Sequence, residues 1–286
     1  MKPLVRHFYH EPTGTLSYVV SDPQSRAAAV IDPVLDFSIV SGGTNAGPAQ
    51  GIIDYVRSET LSVEWILETH AHADHLSSAQ YLQSELGAPI AIGRGIRVVQ
   101  SHFAGVFNLQ PPFKSDGSQF DRLFDEDDAF RIGDLECRVI NTPGHTSDSI
   151  TYLIGDAAFV GDSLFMPDYG TARCDFPGGD AGLLYDSIQT LFALPDDTRL
   201  FMCHDYPPDG RPLRFEVPLA EQKASNIHVK QGTTRAGFVA MREKRDATLS
   251  LPKLLLPAIQ VNIRAGHLPD VEDNNVAYLK IPLDLF

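Results

Sequence analysis

No stretch of this sequence approaches the roughly 18 consecutive apolar residues that a membrane-spanning helix needs; Asp, Gly and Pro interrupt every apolar run. The opening residues MKPLVRHFYHEPTG hold no apolar core and no small-residue cleavage pattern, so no secretory signal is read there and the expected location is the cytoplasm. Cysteine is scarce. Cys137, Cys174 and Cys203 are the only three, an odd number without CxxC spacing. That excludes a disulfide framework and fits a reducing compartment. Positive charge is in deficit: 23 Lys and Arg stand against 37 Asp and Glu, a formal net charge of −14. Such a surface repels phosphate backbones, which excludes nucleic acid as an expected partner. Fixed-period repeats and low-complexity tracts are missing too.

What is present suffices for a core. Hydrophobic residues make up 43% of 286, enough to bury a sizeable interior without crosslinks. Apolar, β-branched runs between turn signals predict strands at 27–32, 65–69, 89–92, 137–141, 150–154, 157–161 and 200–203. Helical spacing appears between some of them. Leu76, Ala79, Leu82 and Leu86 make one stripe in 74–86, closed by Gly87 and Pro89, and Leu184, Ile188, Leu191 and Phe192 make another in 182–194. The mixture predicts an α/β sheet protein with helices on its outer faces. Residues 101–128, rich in Phe, Pro and Asp, lack clear periodicity and read as a long loop over the site. Beyond Pro207 the pattern turns to basic helix, notably at 234–248. Residues 207–286 are therefore read as a C-terminal extension packed on one domain spanning 1–286.

The chemistry is concentrated in Trp65-Ile-Leu-Glu-Thr-His70-Ala-His72-Ala-Asp74-His75. An apolar strand ends, and three imidazoles and a carboxylate follow within six residues. Crowding them for structure alone costs desolvation and charge conflict. A metal resolves both, since neutral imidazole nitrogen and carboxylate oxygen are its natural ligands. The helix predicted from Asp74 would aim its N-terminus at the site. Further donors follow at the ends of other apolar runs: His145 in the turn Thr142-Pro-Gly-His145-Thr, Asp162 after 157–161, and His204 after 200–203. Delivery from several strand ends is the geometry of a site at one rim of a sheet. Asp32, between a strand and Pro33, reads equally as a support for the site and as a turn residue. His7, His10, His102, His228 and His267 have no partner spacing and read as structural or surface. Cys174 and Cys203 read as small buried hydrophobes.

The order H-x-H-x-D-H, then a lone His in a GHT turn, then Asp, then His, resembles the metallo-β-lactamase superfamily over most of the first ~210 residues. The resemblance implies a four-layer αββα sandwich with mixed sheets and metal at the sheet edge. Two glutathione-using branches match, and both carry all seven metal-type residues: His70, His72, Asp74, His75, His145, Asp162 and His204. The segment 161–179, with its core Arg173-Cys174-Asp175-Phe176, looks like the persulfide dioxygenase pattern. So does His204-Asp205-Tyr206, where glyoxalase II typically has His-Glu-Tyr. The tail Ala258-Ile-Gln-Val-Asn-Ile-Arg-Ala-Gly266 is similar to a bacterial subgroup of these dioxygenases. The sequence departs from better-known members in a longer interval between Asp162 and Arg173 and in Ser-Asp after the GHT turn.

The dioxygenase resemblance implies one Fe(II) per chain on His70, His145 and Asp162, a two-His, one-carboxylate face. His72, Asp74, His75 and His204 would lie in a second site or around the first. Glutathione persulfide and O2 would be the substrates, sulfite and glutathione the products, with Arg173 and Tyr206 contacting the glutathione moiety. The alternative is a glyoxalase II-type hydrolase of hydroxyacylglutathione thioesters with two Zn2+. Assembly as a homodimer is left open.

Overall fold

In the computed structural model, which describes residues 2–285, the chain folds in the order its apolar runs dictate. The first half runs β1 (Leu4–His10), β2 (Thr15–Ser21), β3 (Ala27–Ile31), the short β4 (Val34–Phe37) and β5 (Thr44–Asn45), α1 (Gly47–Ser58), β6 (Ser62–Leu67), β7 (Leu76–Ser77), α2 (Ala79–Leu86), β8 (Ile90–Gly93), α3 (Ile96–Val106) and β9 (Arg122–Phe124). The second runs β10 (Ala129–Ile132), β11 (Leu135–Asn141), β12 (Ile150–Ile154), β13 (Ala157–Phe159), α4 (Ala181–Phe192), β14 (Arg199–Phe201), β15 (Glu216–Pro218), α5 (Leu219–Ser225), α6 (Arg235–Asp246) and α7 (Leu255–Asn262). Two mixed six-stranded sheets result, ordered β1-β2-β3-β6-β8-β9 and β10-β11-β12-β13-β14-β15.

Two-residue periodicity sorts their side chains into layers. In β3, Ala27, Ala29 and Ile31 enter the core between the sheets, while Ala28 and Val30 face α1, α2, α3 and α7. In β13, Ala157 and Phe159 enter the same central core, and Ala158 packs toward α4 and α6. Each strand is buried on both faces, which is why these runs read as continuously apolar. The four layers are those of an αββα sandwich. The Tyr18 hydroxyl crosses the central core to donate to the Met202 carbonyl at 2.5 Å. Among the described residues, no helix is long and apolar enough to cross a membrane.

Two expectations need correction. The helix expected from Asp74 begins only at Ala79. Residues 72–78 are held out of helical form: Leu76 and Ser77 pair with β4, and the amide of Ser77 donates to the Asn262 side chain. Tertiary partners override a local helical stripe, so no helix N-terminus at Asp74 is available to favour anions. The stretch 101–128 is not a loop over the site. Its first turns complete α3, whose stripe Ile96, Val99 and Phe103 straddles the expected boundary. The rest packs toward the C-terminal segment, with the Arg264 guanidinium 4.6 Å over the Phe113 ring and Lys280 Nζ donating to the Asn108 carbonyl at 2.9 Å.

Candidate metal centre

All seven metal-type residues meet at one rim, each just beyond a strand's C-terminal end. His70, His72, Asp74 and His75 follow β6, His145 follows β11, Asp162 lies in a single 3-10 turn after β13, and His204 follows β14. Gly144 adopts φ +133, and a Cβ there would run into the backbone of Leu184 at the start of α4. Only glycine lets the turn tuck under that helix and present His145.

Four of the five imidazoles, those of His70, His72, His75 and His145, have one nitrogen held by the protein and no protein hydrogen bond at the other. Thr69 Oγ1 donates to Asp32 at 2.9 Å, so its remaining capacity accepts from His70 Nδ1 at 3.0 Å. His72 Nε2 donates to Asp32 at 3.0 Å, His75 Nδ1 to the Leu76 carbonyl at 3.2 Å, and His145 Nδ1 to the Arg173 carbonyl at 2.8 Å. The opposite nitrogens of His70, His72 and His75 are buried without a partner, as are both of His204, Asp74 Oδ2 and Asp162 Oδ1. Burial of that many bare polar atoms is costly unless a cation satisfies them. Such second partners on metal-binding histidines fix the tautomer and aim the ring.

The bare atoms fall into two groups: His70, His145 and Asp162 in one, and His72, Asp74, His75 and His204 in the other, ligand atoms lying within 4.8 Å of one another in each. Asp162 stands between them. Its Oδ2 lies 3.6 Å from His145 Nε2 and 4.0 Å from His70 Nε2, its Oδ1 3.4 Å from His204 Nε2. Burial, then the neighbouring imidazoles, drive the His70 pKa well below the ordinary value, and burial and His72 drive His75 to about 3. Both rings are therefore neutral at neutral pH, the form that binds a metal. The donor set fits a metal-binding site of one or two ions.

Sequence reasoning raised one support of the site and missed others. Asp32, one of two open readings at the sequence level, is a support: it is buried and accepts from His72, the Thr69 amide and the Thr69 hydroxyl. Burial alone would raise its pKa, but His72 and the Thr69 donors outweigh that and lower it. Glu68 is fully buried 3.4 Å from His72 Nε2 and accepts from the Ser77 hydroxyl; burial raises its pKa. Asp148 accepts the Ala71 amide at 2.8 Å. Its placement in the GHT-Ser-Asp departure was the available signal. Cys203 lies buried 3.7 Å from Asp32, and burial pushes the Cys174 thiol up to about 12, so neither is poised as a nucleophile.

A cavity of about 380 Å³ opens over Asp74, His145 and Asp162, walled by Phe165, Tyr169, Phe176 and Tyr206. Tyr206 stacks on His204 with ring centres 5.5 Å apart, and its ring packs on Gly14, where φ is +68 and a Cβ would clash. Arg173 lines the cavity, with three of its five guanidinium N–H groups engaged by the protein. It donates twice to Asp175, at 2.6 and 2.7 Å, and once to the Ser250 carbonyl at 2.6 Å. Arg245 lines the same cavity, is exposed, and has no side-chain partner among the described residues.

The family model for the metallo-beta-lactamase superfamily matches residues 10–204. A probable metallo-hydrolase of Burkholderia pseudomallei is 51% identical over 98% of this chain and 99% of its own, and Glyoxylase B2 of Dictyostelium discoideum is 47% identical over 99% and 98%. The human mitochondrial persulfide dioxygenase is 30% identical over 71% of this chain and 68% of its own. Among solved structures, ETHE1 from Myxococcus xanthus superposes with a TM-score of 0.74 at 30% identity, covering 92% of this chain and all of that one.

Proposed function

Because this chain belongs to the metallo-beta-lactamase superfamily, we propose that it is a persulfide dioxygenase that oxidises glutathione persulfide with O2 at one iron. The observation that carries the reading is the group of His70, His145 and Asp162, a two-His, one-carboxylate set beneath the cavity. Fe(II) held there would supply electrons to O2, which redox-inert zinc cannot. The overall change takes one persulfide, one O2 and one water to one thiol and one sulfite. The likeness to the human persulfide dioxygenase and the segment 173–176 support it.

The protein's own groups do the rest. The Thr69 hydroxyl and the Arg173 carbonyl keep the Nε2 atoms of His70 and His145 unprotonated toward the cavity. Phe165, Tyr169, Phe176 and Tyr206 exclude water from the sulfur end of the substrate. With Arg173 paired to Asp175 and Arg242 to Asp246, Arg245 is the cation lining the cavity that has no carboxylate partner among the described residues. Arg245→Ala is expected to raise KM for glutathione persulfide about tenfold and spare kcat, the lower end for a charged hydrogen bond because the side chain is exposed. Arg173→Ala should instead impair persulfides with and without the glycyl carboxylate equally. The reverse pattern in steady-state kinetics would return the anchor to Arg173.

A thioester hydrolase with two zinc ions is the second reading. It is favoured by the second donor group, which Asp162 also faces, and by the relative named Glyoxylase B2. Metal analysis and an oxygen electrode separate the two. About one iron per chain and O2 uptake with glutathione persulfide are expected. Two tightly held zinc ions, thioester hydrolysis and no O2 uptake would overturn the dioxygenase reading.

A further inference from the structure

One side chain from the far end of the sequence closes the metal loop. Asn262, the last residue of α7, is 4% exposed. Its Nδ2 donates to the His72 carbonyl at 2.7 Å and to the His75 carbonyl at 2.8 Å, and its Oδ1 accepts the Ser77 amide at 2.8 Å. Both donors of the amide are thereby used. The two carbonyls bracket Asp74, so the three bonds fix three of the five peptide planes between 72 and 77, one before Asp74 and two after it. No other described side chain bonds to either carbonyl. Leu76, between them and Ser77, packs on Ala258 and Val261 of the same helix. Loop and helix are thus one unit, although α7 lies outside the 10–204 matched by the family model.

The first donor group has other anchors. His70 rests on Thr69 and Asp32, and His145 on the Arg173 carbonyl. The Asn262 clamp therefore bears on His72, Asp74 and His75 alone. Without it two buried carbonyls lose their donors, and the peptides at 72 and 75 are free to rotate, which would swing the bare nitrogens of both rings away from His204.

We infer that Asn262 is a positioning residue of the metal centre, acting through the backbone of His72 and His75. The inference rests on the metal-centre reading but is independent of which reaction the centre performs. Its test compares Asn262→Ala with Gln260→Ala. Gln260 is equally buried on α7 but bonds to the Lys280 backbone, away from the loop.

The readout is the set of histidine ring signals in long-range 1H–15N spectra of protein loaded with Zn2+, alongside turnover of protein loaded with its activating metal. In Asn262→Ala the His75 ring, held through the Leu76 carbonyl, is expected to lose its single tautomer, the His72 ring signals to shift while keeping the tautomer that Asp32 fixes, and those of His70 and His145 to stay as in wild type. Turnover should fall about tenfold, as for other residues that orient ligands from behind. Gln260→Ala should lower the melting temperature without either effect. Asn262→Ser, which keeps a short donor, carries the same comparison if the alanine variant does not fold. Wild-type ring signals in the Asn262 variant, or the same disturbance of all four rings in both variants, would overturn the inference. Failure of the wild-type protein to take up any metal would instead sink the metal-centre reading itself.

Discussion

Asp162→Ala is expected to remove bound metal and to lower turnover by about three orders of magnitude or more, since the several kcal/mol of charge stabilisation a metal supplies go with it. The position is singular because its two oxygens serve both donor groups, Oδ2 toward His70 and His145, Oδ1 toward His204. Alanine leaves the first group as two neutral imidazoles with no charge to hold a dication. Asp162→Asn separates charge from shape, since it keeps the volume and one carbonyl oxygen. It should retain metal poorly and turn over slowly, between alanine and wild type. Under the mononuclear reading His72→Ala keeps its iron. Elemental analysis of the purified variants with parallel rate measurements checks all three. An Asp162→Ala protein that holds one equivalent of metal and a tenth of wild-type turnover would show that the carboxylate is no ligand.

Asp246→Ala is expected to cost about 3–5 kcal/mol of stability, the usual result of leaving a buried charge unpaired. Arg242 and Asp246 sit one turn apart on α6, 1% and 4% exposed, and form an ion pair. The pair also grips the strip that crosses the cavity. Arg242 donates to the Thr171 carbonyl at 3.1 Å, and Asp246 accepts the Cys174 amide at 2.9 Å. Between those two residues lies Arg173, whose carbonyl orients His145. Loss of Asp246 strands a guanidinium in the interior and frees that strip. The melting temperature should drop by roughly 10 °C, taking about 2–4 °C per kcal/mol for a chain of this size. The double variant Arg242→Met, Asp246→Leu should recover much of the loss, because packed apolar residues often replace a buried pair at little cost. A single variant that melts within 2 °C or so of wild type in calorimetry would show the pair to be dispensable.

What was legible in the sequence shares one physical trait, which is that its cause is local. The His70–His75 cluster announces itself because four donors follow one apolar strand within six residues. Asp162 and His204 are legible because each ends an apolar run, and His145 because it sits in the Pro-Gly turn that follows one. Helix α4 and the strands β3, β6, β8, β11, β12, β13 and β14 are legible because their patterns are theirs alone, whereas β1 and β2 went unread. Legibility fails where a partner is remote. Asp148 is known to the loop it braces only through a bond across 77 residues, and Asn262 through bonds across 185 to 190. The start of α2 was misplaced for the same reason, since the apolar stripe from Leu76 is helical in spacing while β4 and Asn262 hold its first turn open. Arg173 does line the cavity, and its pairing with Asp175, two residues on, was not read from the sequence.

The Asn262 clamp also sets an order in time. Ser77 leaves the ribosome 185 residues before the side chain that fixes its amide. At about 5–20 residues per second, the histidine loop waits roughly 10–40 s in the nascent chain before α7 exists to close it. During that interval the carbonyls of His72 and His75 lack the donor that later fixes them. The backbone that carries His72, Asp74 and His75 therefore takes its final form only once the last helix has docked.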